Sequence, residues 1–171
     1  MKITTKEIEV ALCAYPISPF YCRKWIVVPR VSWGLESHEC DILALSNNNY
    51  AHEIEIKTSV SDLKADFKKR HHHESSDNKI RCLWYAAPIE MQAEVENLVP
   101  QNTGIILVYR STNEWHTYKL RTEIIRKASP KTSARKFTDE EKIKLYRLGT
   151  MRYWTIIKRE IAAKYDVKVE K

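Results

Sequence analysis

The chain is 171 residues long, 43% hydrophobic, and carries a net charge of +7. That length suits one sizeable core rather than two, and the longest apolar runs fall well short of the roughly 20 residues that span a bilayer. The four cysteines, Cys13, Cys22, Cys40 and Cys82, form no CxxC pair, and the first residues carry no secretion signal, so a disulfide framework and a zinc ribbon are not expected and the expected location is cytoplasmic, with no membrane partner.

Thr4 and Glu7 stand at capping-box spacing, and Ile8, Ala11 and Leu12 repeat on one face, which predicts a first helix ending before Pro16. Trp25 to Val28 and Val31 to Trp33, broken by Pro29, read as a strand or irregular hairpin arm. Glu39 to Leu45 reads as a largely buried strand, turned by Ser46-Asn-Asn-Asn49 into a second strand from Tyr50 to Lys57. Ser59 or Ser61 caps a helix with Leu63, Phe67 and Arg70 on one side. Ile80 to Ala87 is a strand, Pro88 opens a helix through about Leu98, and Ile105 to Tyr109 is an apolar strand with which Trp115 to Leu120 is expected to pair. The order predicts an α/β sandwich around a mixed sheet.

Beyond Ala128 the composition turns basic, and Ser129 to Lys136 reads as a linker without core-forming residues. Thr138 and Glu141 form a second capping box, opening a helical tail with Ile143, Leu145, Leu148, Trp154, Ile157 and Ile161. Trp154 and the aliphatic residues are expected to dock it, the alternative being that Tyr153 and Trp154, interleaved with Arg147, Arg152, Lys158 and Arg159, clamp a duplex backbone or stack on an unpaired base. The expected division is a core over 1–128 and a basic helical C-terminal extension over 129–171. Charge follows the same division. Residues 1–109 carry 12 Lys and Arg against 14 Asp and Glu, whereas residues 110–171 carry 17 against 8, a net of +9. A one-sided positive field points to a polyanionic partner.

The segment Ala51 to Lys57 carries the chemistry. As a strand it sets Glu53, Glu55 and Lys57 on one face and His52, Ile54 and Ile56 on the other. Asp41 interrupts a run that should be buried, where an ionised carboxylate needs a partner or a cation, and the Asn-rich turn brings it toward Glu55. Two carboxylates beside a lysine suit Mg²⁺, with Mn²⁺ as a substitute, and phosphodiester hydrolysis needs an activated water and positive charge at the crowded phosphate.

Asp41 followed by Glu55-Ile-Lys57 resembles the motif of the PD-(D/E)xK, or restriction-endonuclease-like, nuclease superfamily, over roughly residues 5 to 110. The resemblance implies an αβββαβ core with a central mixed sheet and a Mg²⁺-dependent nuclease acting on DNA, in repair, recombination or defence, with RNA a weaker candidate. It implies Asp41 and Glu55 as metal ligands, the Ile56 carbonyl as a third, and Lys57 as the residue that positions or activates water. Glu7 corresponds to a first-helix acid that some members add to the metal site, and its capping position accounts for it equally well. Glu53 is an alternative ligand. Cys40 stands where the family name has proline, and no Gln-x-x-x-Tyr follows Lys57, so the exonuclease branch carrying that feature is not expected.

Lys68, Lys69 and Arg70 on the second helix, and Arg152 and Lys158 in the tail, are the expected contacts to DNA phosphates. His71, His72 and His73 point in different directions on a helix and are not read as a metal site. The alternative function is a non-catalytic DNA-binding protein on the same fold. A homodimer, giving one active site per strand of a duplex, is left open, as are endo against exo cleavage and substrate structure.

Overall fold

The computed structural model describes residues 2–31, 39–68 and 78–165. Lys69, Arg70 and the three histidines at 71–73 lie outside the described residues, as do Ser32 and Trp33 of the first predicted strand.

The first helix, α1 (Thr5–Cys13), is capped as expected. The Thr4 hydroxyl accepts from the Glu7 N–H at 3.3 Å, and the Glu7 carboxylate accepts from the Thr4 N–H at 2.9 Å. β1 (Ile26–Val31) tolerates Pro29 because it is an edge strand of the sheet. β2 (Cys40–Leu45) and β3 (Ala51–Ile56) are joined by a turn in which Asn49 takes a left-handed φ of 64°. That conformation is one asparagine tolerates better than most residues. α2 (Val60–Lys68) starts where the Ser59 hydroxyl accepts from the Asp62 N–H.

β4 (Ile80–Pro88) runs one residue further than expected. Pro88 closes the strand in an extended conformation, and a 3-10 turn (Ile89–Met91) precedes α3 (Gln92–Leu98). β5 (Gly104–Arg110) follows, and its partner β6 is Leu120–Arg126 rather than Trp115 to Leu120. The reason is local. The Asn113 side chain accepts from the Trp115 N–H in a tight turn, the Ser111 N–H bonds to Lys119, and Trp115 is left 91% exposed, so the chain re-enters the sheet only at Leu120.

The six strands lie in sequence order, β1 to β6, in one mixed sheet. β1, β2 and β3 are antiparallel, β3, β4 and β5 are parallel through the α2 and α3 crossovers, and β6 is antiparallel to β5. One face packs Ile42, Ile54, Ile56 and Ala86 against Ile8, Ala11 and Leu12 of α1. The other packs Tyr85, Ile105 and Leu107 against Leu63 of α2 and Val95 of α3. This is the mixed α/β architecture expected, with helices on both faces.

α4 (Asp139–Lys164) covers the β1 end of that second face, with Leu145 fully buried beside Leu43 and Leu45. Trp154 does not dock it. The indole is 62% exposed, because Leu145, with Leu148 packed beside it, lies on the buried side of the helix and Trp154 does not. The stretch before α4 is also more than a tether. Ala134 is buried, Lys131, Arg135 and Phe137 donate backbone hydrogen bonds to Arg81, Asn78 and Asn49, and Phe137 enters the same cluster as Leu145. No helix among the described residues is long and apolar enough to cross a membrane.

Candidate active site

The pairing of β2 with β3 brings Ile42 opposite Ile54, and one step further along the ladder Asp41 meets Glu55. Glu55 in turn pairs with Tyr85 of β4. Because residues opposite each other in a sheet share a face, Asp41, Glu55 and Tyr85 form a row across three strands. Glu53 and Lys57, two residues to either side of Glu55, point the same way. All three side chains, Lys57 lying just past the end of β3, are buried, at 2% exposure for Glu53, 6% for Glu55 and 5% for Lys57.

Burying an ammonium requires partners, and Lys57 has two. Its Nζ donates to Glu55 Oε2 at 2.9 Å and to Asp66 Oδ1 of α2 at 2.9 Å. The Tyr85 hydroxyl donates to the other Asp66 oxygen, also at 2.9 Å. Burial alone would lower the Lys57 pKa, but Glu55 and Asp66 outweigh it and raise it, so Lys57 is held protonated. The Glu55 pKa is raised as well, against the usual fall of a salt-bridged carboxylate. Burial pushes it up to about 7, with Asp41 and Glu53 adding to the rise against the pull of Lys57.

Asp41 Oδ2 accepts from the Ile56 N–H at 2.7 Å. Burial raises its pKa, this hydrogen bond and Lys57 pull it down, and Asp62 and Asp66 of α2 add to the rise. The Lys57 N–H bonds to Ala86 of β4, so by alternation the backbone groups of Ile56 face β2. Its carbonyl is therefore directed to the side on which Asp41 stands.

The structure thus brings together Asp41, Glu53, Glu55, Ile56 and Lys57. Glu7 is engaged elsewhere. It caps α1 and takes a 2.6 Å salt bridge from Arg110, and the Thr4 N–H, followed by Arg110, lowers its pKa to about 2. The α1 acid that senses Asp41 is Glu9. Burial raises its pKa first, Asp41 adds to the rise, and Arg30, 3.8 Å away, opposes it. Arg30 lies between the pairs Pro29–Ile42 and Val31–Cys40, opposite Asp41, in a left-handed conformation with φ of 53°. A non-glycine residue held there is strained backbone beside the carboxylates. Asp66, Tyr85, Glu9 and Arg30 were not reached from the sequence, where none stands at a motif spacing. The one available signal was Asp66 on the inward side of a helix with Leu63.

Among the described residues no three His, Cys, Asp or Glu side chains converge as a ready-made metal site. The donor set of Asp41, Glu55 and a backbone carbonyl nevertheless fits a hard divalent ion, which takes one or two carboxylates and keeps several waters. Both carboxyls are raised chiefly by burial, Asp41 adds to the rise at Glu55, and a cation between them would relieve both.

Of the expected phosphate contacts, Lys68 ends α2 and Lys158 is exposed on α4. Arg152 has a docking role, since one of its amino groups donates to the Arg30 carbonyl at 2.7 Å and ties α4 to β1.

A family model described as DNA repair protein MmcB-like matches residues 22–146. The span holds Asp41, Glu55, Lys57, Asp66 and Tyr85 and leaves α1, with Glu7 and Glu9, outside. No curated protein matches the sequence. Among solved structures, a protein of unknown function from Silicibacter pomeroyi is similar, at 20% identity over 85% of this chain and 82% of that one, with a TM-score of 0.49.

Proposed function

The chain belongs to the MmcB-like family of DNA repair proteins, and from that premise we propose that it is a divalent-metal-dependent nuclease of the restriction-endonuclease-like type that hydrolyses phosphodiester bonds in DNA. The observation that carries this reading is the shared face of Asp41 on β2, Glu55 on β3 and Lys57 just past its end, within the order α1-β1-β2-β3-α2-β4. Asp41 and Glu55, with the Ile56 carbonyl, would hold Mg²⁺ or Mn²⁺, which when bound supplies Lewis-acid charge and a more acidic water.

The chain's own residues do the rest. Lys57, protonated and fixed between Glu55 and Asp66, serves as a cation beside the phosphate oxygens, not as the base that takes a proton from water. Asp66 positions Lys57, and Tyr85 holds Asp66. Hydrolysis adds the water's hydroxyl to phosphorus, breaks the bond to the leaving oxygen and delivers the proton to that oxygen.

Circular, linear and branched DNA incubated with Mg²⁺ test the reading. Cleavage should fall by at least about a hundredfold in Asp41→Ala and in Lys57→Ala, the scale of removing one preorganised transition-state interaction. Cleavage unchanged in either variant sinks it. A non-catalytic DNA-binding protein is the second reading, favoured by the neutralisation of Lys57 by two carboxylates. It predicts salt-sensitive binding that persists in Asp41→Ala, and no cleavage with Mg²⁺ or Mn²⁺.

A further inference from the structure

On the Lys57 side of the sheet a cavity of about 380 Å³ opens between the end of α2, the first half of β4 and the loop before β5. Asp66 and Tyr85 form part of its wall, so its occupant lies beside the two groups that hold Lys57 in place. Its size falls in the range of small-ligand sites, about 300 to 1,000 Å³.

The rest of the wall is chemically mixed. Phe67 offers an aromatic surface, braced against Tyr85 with ring centroids 6.0 Å apart. Two cations, Arg81 and Lys131, also line the cavity. The Arg81 guanidinium rests on the Tyr50 ring, 4.0 Å from its centroid, and neither cation has a carboxylate partner among the described residues. An arginine stacked by its face keeps its N–H edges available, which is the geometry that suits phosphate. The Asn102 amide adds a donor and an acceptor.

We propose that this cavity receives one unpaired nucleotide of the DNA, its base against Phe67 and a phosphate at Arg81 and Lys131. The strand next to an unpaired position is thereby presented to Lys57. This substrate class, DNA with a bulged, mismatched or single-stranded nucleotide, rests on the nuclease reading, whereas the binding does not. An unpaired nucleotide enters such a cavity at the least cost, because no pairing is given up.

The test is fluorescence anisotropy in EDTA at fixed salt, with two labelled duplexes identical except for one central unpaired thymidine. The wild type should prefer the duplex with the unpaired thymidine by about tenfold, the scale of one base stacked on an aromatic ring. Ser129→Trp, which plugs the cavity from an exposed rim position, should bring the two affinities to parity while leaving the paired duplex within about twofold. Pro100→Trp does the same from the facing loop should Ser129→Trp fail to fold. Equal affinities in the wild type, or a preference that survives a folded plug variant, overturn the proposal. A preference without cleavage on adding Mg²⁺ leaves this site standing and removes the nuclease reading. Cleavage without preference does the reverse.

Discussion

Glu55 combines burial with charge and so links stability to pH. Its carboxyl titrates near 7 in the folded protein against 4.5 when unfolded, chiefly through burial. Between those values the folded state binds more protons than the unfolded one, so this group's contribution is full below about pH 4.5 and is lost as pH rises toward 7. The shift corresponds to at most about 3 kcal/mol. Denaturant titrations of the wild type and Glu55→Gln should therefore converge at pH 4.5 and diverge by pH 8, with Glu55→Gln the more stable. A constant difference across that range would mean that Glu55 is not shifted. If Glu55 holds a metal, added Mg²⁺ should stabilise only the wild type, and more at pH 8 than at pH 5, because proton and metal would then compete for the same carboxylate. That Asp41, Glu55 and Lys57 come together on one face was legible because strand alternation and motif spacing act locally. Asp66 and Tyr85 were not, since a helix and a more distant strand deliver them and only the three-dimensional packing sets that meeting.

At the scale of elements, β4 and β5 meet at an unusually close approach. Gly104 pairs with Trp84, and a Cβ there would stand 2.1 to 2.6 Å from three indole carbons. The indole has little freedom to retreat. Its N–H donates to His52 Nδ1 at 3.2 Å, and its ring meets Phe20 edge-on with centroids 5.7 Å apart. Gly104→Ala should accordingly cost about 1–3 kcal/mol as overpacking, and Trp84→Leu in the same chain should remove much of that cost. A double-mutant cycle by urea unfolding measures this, and additive effects would refute the close approach. The order of elements followed from the sequence because apolar runs and turn residues are themselves local. Two features did not. The turn at Asn113 delays β6 beyond an aromatic stretch that reads as strand, and the docked side of α4 is chosen by the shape of the sheet beneath it, so Trp154 is passed over for Leu145.

Across the whole molecule, the basic C-terminal third is built into the core through the start of α4, and Lys158 and Arg159 lie exposed further along that helix. Arg135 and Lys79 both bind Glu141 at the start of α4, and Phe137 and Leu145 complete the cluster around Leu43 and Leu45. A chain ending at Ala128 removes both buried side chains and the hydrogen bonds of residues 131–137. Large buried side chains are worth about 2–5 kcal/mol each against a total stability of about 5–15 kcal/mol, so that chain should not unfold cooperatively. A chain ending at Met151 keeps Leu145 and Leu148 but gives up the Arg152 bond to the Arg30 carbonyl, a loss of about 1.5–3 kcal/mol, and should remain folded. It lacks six Lys and Arg, among them Lys158 and Arg159 on the exposed surface of α4, against three Asp and Glu. If that surface tracks a DNA backbone, the plot of log K against log salt for a paired duplex should flatten by about 0.9 for each phosphate that the shortened chain no longer neutralises, an expected total of about 1 to 4. An unchanged slope in the folded Met151 chain would show that the outer half of α4 does not touch DNA, leaving Arg81 and Lys136 over Tyr50, and Lys131 beside Arg81 in the cavity wall, as sources of positive field.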